Sequence, residues 1–320
     1  MPSNTTIVNT ILAAANYVSA VFLSLTQLFG VLGNILVIYS IVSQRSLLKS
    51  NYYFLVLHLA FCDLMVLLGI SYYTYGTLYP NVLFIRSLPI CIVGQATLTV
   101  FFNAGVFMVV LIAIIRFRAV LHPLEPAVSP SKLRVVVGAV YLCAIACVVP
   151  FILVLTFKHV CFEKWPNSTP KIIYMFFLTT VQCFLPVLTL FLFYYKICKA
   201  LKTQRKKIHP SNPTSAATSE ERNVRQRSLE RIKHYRNMRT FVRSASIVVS
   251  FAITSLPTHI FYLMFACAAT VQTEITIWPL IVRLFGINAV NPYIYGVSDK
   301  TLRSAYKRNW EKVKRILVSS

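Results

Sequence analysis

The chain has 320 residues, 57% of them hydrophobic and 13% charged, with a mean hydropathy of +0.65. Soluble domains carry about a quarter charged residues, so composition excludes an ordinary soluble domain and points to a membrane protein. The formal net charge of +23 does not call for nucleic acid, because the basic residues lie between apolar runs, mostly in alternate gaps.

Seven apolar runs can be read, at 17–43, 52–78, 88–121, 135–157, 172–195, 246–271 and 275–297. Each reaches the roughly 20 residues that a helix needs to cross a bilayer. Backbone polar groups must be satisfied inside lipid, so the runs are predicted as helices. The expected fold is an all-α membrane protein, a seven-transmembrane helix bundle.

Residues 1–16 lack the basic start and short apolar core of a signal peptide and form the expected extracellular N-terminus. The gaps after spans one, three and five hold Arg45, Lys49, Arg118, Lys132, Arg134 and a basic run at 199–243. Another basic run follows span seven at 300–315. The opposite side holds only Arg86, Lys158, Lys164 and Lys171. The positive-inside rule then puts the N-terminus outside and the C-terminus in the cytosol.

The sequons at Asn4 and Asn167 both fall on the outer side and are candidate glycosylation sites. None of the eight cysteines forms a CxxC pair, and most lie in apolar runs as small hydrophobes. Cys91 and Cys161 differ, sitting at or beyond span ends on the oxidising side, where a disulfide would tie span three to the following outer loop.

The cytosolic loop at 199–239 is broken by Pro210 and Pro213, and its centre is expected to be disordered. Its basic flanks suit the anionic inner leaflet, and a protein partner can share them. Residues 298–320 hold a predicted amphipathic surface helix and short tail, with Leu302, Ala305, Tyr306, Trp310, Val313 and Leu317 at helical spacing among basic residues.

Few polar or kinked positions interrupt the spans. They are Gly30, Gly33 and Asn34 in span one, Asp63 in span two, Pro186 and Tyr194 in span five, Pro257 in span six, and Asn291-Pro292-Tyr293-Ile294-Tyr295 in span seven. Span three closes on Arg116-Phe117, followed by Val120, Pro123 and Leu124. By itself Arg116 reads either as a helix end snorkelling to the headgroups or as a charged switch.

In this order and spacing the set resembles the rhodopsin-like (class A) family of G-protein-coupled receptors over nearly the whole chain, and the pattern is closest to its peptide receptors. The resemblance implies that Arg116, Phe117, Pro123, Leu124, Tyr194 and Tyr295 form the G-protein coupling switch. Asn34, Asp63, Asn288 and Asn291 would be the central polar cluster. It also implies the plasma membrane as location, an extracellular ligand, a heterotrimeric G protein as partner, and arrestin and receptor kinases as further partners.

Several positions depart from the family pattern. Ile115 stands where an acid usually precedes the arginine, so raised basal signalling is expected. Ser255 replaces the usual tryptophan of span six, with Thr254 beside it. Gly105 and Ile287 replace two residues of the family's sodium site. His58 replaces the usual asparagine of span two, and Val140 or Tyr141 stands for the usual tryptophan of span four.

Leu98 occupies the position of the aminergic acid and Phe285 that of the retinal-binding lysine, so neither ligand class fits. The candidate ligand residues are Tyr73, Gln95, Leu98, Thr99, Phe102, Asn103, Gln182, Thr258, His259, Tyr262 and Arg283. His259 can equally be a histidine satisfied within the bundle. Arg283 lies eight residues from Asn291, about 12 Å along a helix. It would snorkel outward, pair with Glu274, or bind a carboxylate.

No metal site or cofactor is expected. HExxH, P-loop and GxSxG signatures are absent, and Asp63 is the one acid well inside a span, which argues against an enzyme or transporter. The competing reading is a seven-span homologue that no longer signals and acts as scaffold, decoy or dimer partner.

Overall fold

A computed structural model describes residues 4–78, 87–122, 124–157, 161–208, 238, 245–246, 248–253, 255–257, 259–260, 263 and 288–319. Pro123, Thr258, Tyr262 and Arg283 lie outside them, as do the side chains of Asn4, Tyr73 and Cys161.

The chain begins with α1 (Asn4–Val42), a short α2 (Arg45–Leu48), α3 (Asn51–Leu78) and α4 (Leu88–Leu121). Next come α5 (Pro130–Leu153) and an antiparallel hairpin of β1 (Leu155–Phe157) and β2 (Cys161–Glu163), in which Thr156 faces Phe162. Helix α6 (Ser168–Thr179) runs through a π-helical turn, Thr180–Phe184, into α7 (Leu185–Ile208). The described C-terminal part holds α8 (Asn291–Ser298) and α9 (Lys300–Ser319). Five stretches, Ser24–Val42, Asn51–Ile70, Leu88–Leu121, Pro130–Leu153 and Ser168–Thr203, are long and apolar enough to cross a membrane. Val248–Pro257 is a shorter apolar helix.

The helix ends depart from the hydropathy limits for local reasons. Helix α1 continues back to Asn4, into the segment read as N-terminal tail. Helix α5 starts at Pro130, with Ser129 as N-cap accepting from the Lys132 amide, and ends at Leu153. The apolar residues 155–157 that prolong span four in the sequence are a strand instead. Hydropathy cannot separate a buried strand from the last turn of a helix.

The π-helical turn also has a covalent cause. Pro186 has no N–H for the Gln182 carbonyl, and its ring crowds that carbonyl. The chain widens by one residue, and the Leu185 amide donates to the Thr180 carbonyl instead.

Polarity is inverted relative to a soluble protein. Leu32, Leu142 and Phe191 are exposed on the outer faces, while Asn34, Asp63, Asn103, Gln182 and Asn291 are buried. Helix α4 occupies the middle, packed against α3, α5 and α7. Small residues set the closest approaches. A Cβ built on Gly69 would lie 2.9 Å from the backbone nitrogen of Leu98, and one on Gly33 would lie 2.9 Å from Pro292.

The end of the bundle expected from its basic loops to face inward is tied to α9. Asp299 Oδ1 accepts from the amides of Thr301 and Leu302, which caps the helix, and the Tyr53 hydroxyl donates to the same carboxylate. Asn309 donates to Ser40 Oγ at 2.8 Å, and Arg308 donates to Gln44 Oε1 at 2.6 Å. Burial against this inner end pushes the Tyr306 phenol above its ordinary range, with Asp299 adding to the effect.

Candidate functional site

The candidate residues gather at three depths along α4. The first level joins three helices. Asn103 Nδ2 donates to the Thr99 carbonyl at 2.8 Å, which fixes its amide with Oδ1 outward. That oxygen accepts from Gln182 Nε2 at 3.0 Å, so Gln182 Oε1 must face the other way. It faces His259 Nε2 at 3.1 Å, while His259 Nδ1 lies 2.8 Å from the Ser255 carbonyl. Both ring nitrogens of His259 therefore meet oxygen acceptors. A neutral ring donates to one of them, and the tautomer decides which.

The π-helical turn carries Gln182 and sets the angle at which it enters this relay. Phe102, Gln182 and His259 are buried here, and both amide atoms of Gln182 and the Nε2 of His259 are used between helices. Ser255 Oγ is buried without a hydrogen-bond partner among the described residues. Gln95, Leu98 and Thr99 are half-buried on the same helix, with the Thr99 hydroxyl donating back to the Gln95 carbonyl. Near the outer end of α4, Cys91 is buried and disulfide-bonded.

The second level lies mid-bundle. Asn291 Nδ2 donates to Asp63 Oδ2 at 2.8 Å. Asn34 Nδ2 donates to the Asn288 carbonyl at 2.8 Å and to the Gly30 carbonyl at 2.9 Å. The four expected residues thus form two adjoining links between spans one, two and seven. Asn34 Oδ1 and Asn288 Nδ2 have no partner among the described residues.

At the inner end, Ile115 packs against the main apolar core. The Arg116 guanidinium carbon lies 3.9 Å from the centroid of the Tyr52 ring, and the Arg116 Nε is buried without a hydrogen-bond partner among the described residues. Tyr295 is fully buried in the same core, its hydroxyl also without a partner among the described residues. Tyr194 is half-buried against that core. Phe117 stacks on Phe193 at 4.9 Å, which joins α4 to α7. Leu124 is 98% exposed on the inner loop, which Arg118 braces through an ion pair to Glu125 at 2.9 Å.

Sequence reasoning did not find four of these contacts. Tyr52 was visible only as part of an aromatic cluster opening span two, and nothing in the pattern marks it as the partner of Arg116. His58 Nδ1 meets the Tyr141 hydroxyl at 3.1 Å, so two departures from the family pattern meet each other. The ties from α9 to Ser40 and Gln44 cross more than 260 positions and leave no local signal.

The family model described as "7 transmembrane receptor (rhodopsin family)" matches residues 33–295. The chain belongs to that family, and is a multi-pass membrane receptor built as a seven-helix bundle with an amphipathic C-terminal helix. It is 24% identical over 310 residues to the "Neuromedin-K receptor" of Cavia porcellus, covering 91% of this chain and 64% of that receptor. It is likewise 24% identical over 293 residues to the "Substance-K receptor" of Homo sapiens, covering 88% and 69% of the two. The chain thus spans about two thirds of the length of these relatives.

Proposed function

We propose that the chain is a plasma-membrane receptor for an extracellular ligand that activates heterotrimeric G proteins through Arg116. The supporting observation is the ladder of buried polar groups on and beside α4. Polar side chains in a span are costly and are retained at sites that work. Here they stand at three levels, around Asn103 and Gln182, around Asp63 and Asn291, and at Arg116. Arg116 Nε and the Tyr295 hydroxyl are buried without hydrogen-bond partners among the described residues. Each such group costs about 1–3 kcal/mol, so an arrangement that satisfies them is within reach of a modest ligand energy.

The ligand is a peptide or a small anionic or neutral molecule, by resemblance to the receptors above and by the unsuitable residues at the amine and retinal positions. Cys91 pairs with Cys161 across the outer face, Asn4 and Asn167 carry glycans, and the C-terminus is cytosolic, where arrestin and receptor kinases would meet the loops. Arg283 anchors a carboxylate in this reading.

A peptide library applied to cells expressing the chain, read by G-protein dissociation, tests the proposal. A response abolished by Arg116→Ala is expected. Specific surface binding with no dissociation for any G-protein class would instead favour the non-signalling homologue, a reading that Ile115, Thr254 and Ser255 support.

A further inference from the structure

We propose that Tyr52 is the positioning residue that holds Arg116 in the resting arrangement, taking the place of the acid missing at position 115. Ile115 offers the guanidinium no charge, and its side chain is turned into the apolar core. Among the described residues, no carboxylate pairs with Arg116. The guanidinium lies over the Tyr52 ring at 3.9 Å from its centroid, within the range at which a ring face attracts a cation. Tyr52 is buried, so water does little to screen the contact, and the Tyr53 ring meets it edge-on at 5.1 Å. Tyr53 is in turn bonded to Asp299 at the cap of α9. The ring is therefore held in place from the α9 side while it holds the arginine.

A ring and a carboxylate hold an arginine differently. The carboxylate competes through hydrogen bonds and takes up the guanidinium N–H groups. The ring face leaves those N–H groups directed sideways, ready to donate elsewhere once the cation moves off. In this proposal the ring supplies the hold that Ile115 lacks, so the expectation of raised basal signalling moves from the native chain to variants without the ring. Restoring the acid in the native chain changes little, and it matters greatly once the ring is gone.

The test rests on the proposed G-protein coupling, so it carries two readouts. The first is ligand-independent nucleotide exchange on G proteins in membranes. The second is the spin-label distance between Ala119→Cys and Met238→Cys, with Cys143, Cys147 and Cys198 replaced by Ser, which needs no G protein. Tyr52→Leu should raise basal exchange about threefold to tenfold. Tyr52→Phe should stay near the native level, and adding Ile115→Asp to Tyr52→Leu should bring exchange back down.

Phenylalanine carrying one, two and three ring fluorines at position 52 keeps the shape while draining the ring face. It should raise exchange and lengthen the spin-label distance in graded steps. A flat fluorination series in the spin-label distance overturns the proposal even if Tyr52→Leu fails to fold. So does a Tyr52→Leu effect that Ile115→Asp does not reverse, because ring packing alone would then explain it. Graded distances with no exchange from any variant uphold the hold on Arg116 and count against G-protein coupling.

Discussion

Gln182 is the most constrained polar side chain among the described residues. The Thr99 carbonyl can only accept, and from that one fact the orientations of Asn103 and Gln182 follow in sequence. Gln182→Leu leaves Asn103 Oδ1 and His259 Nε2 facing an apolar group. A loss of about 1–3 kcal/mol per orphaned group is expected, read as a lower thermal midpoint of the detergent-purified receptor. An unchanged midpoint would mean the relay contributes nothing.

His58 and Tyr141 make a smaller case at the same scale. His58→Ala and Tyr141→Phe should be non-additive in the same assay, with a coupling near the roughly 0.6 kcal/mol average for hydrogen bonds between membrane helices. These links were only partly legible. Asp63, Asn34 and Asn291 stood out because an amide or acid in an apolar run is conspicuous. Tyr52 did not, because a tyrosine at a span end is ordinary interfacial chemistry until its neighbour across the bundle is known.

Among the elements, α3 and α4 owe their separation to Gly69. A side chain there meets the backbone of Leu98, which cannot rotate out of the way. Gly69→Val should therefore abolish correctly folded receptor at the cell surface. Gly138 is the control, since a Cβ there meets nothing within 4 Å. Gly138→Ala should be neutral or stabilise by up to about 1 kcal/mol through helix propensity. Equal surface levels for the two variants would remove close packing as the cause.

Element identity was legible from hydropathy because each run is long and almost uncharged. Element ends were not, because caps and proline effects decide them. Ser129 with Pro130 starts α5, Pro186 opens the π-helical turn, and the strand at 155–157 is as apolar as the helix before it.

At the scale of the molecule, α4 carries residues of the first and third polar levels, the second joins spans one, two and seven, and α9 closes the inner end against α1 and α3 through Asn309, Arg308 and Asp299. The seven-helix architecture could be read from composition, charge sidedness and motif order, because the bilayer leaves few other solutions. The link between the missing acid and Tyr52 could not, since it depends on how α3 meets α4 in space.

The energies make the two holds comparable. A desolvated cation–ring contact is worth about 2 kcal/mol, and a hydrogen bond to a charged group about 1.5–3 kcal/mol. The most direct test of Arg116 as the transmitting group is basal G-protein nucleotide exchange in membranes bearing Tyr52→Leu, with and without Arg116→Ala. Exchange raised in the single variant and lost in the double variant is the predicted result. Equal exchange in both would contradict the assignment of Arg116 as the switch.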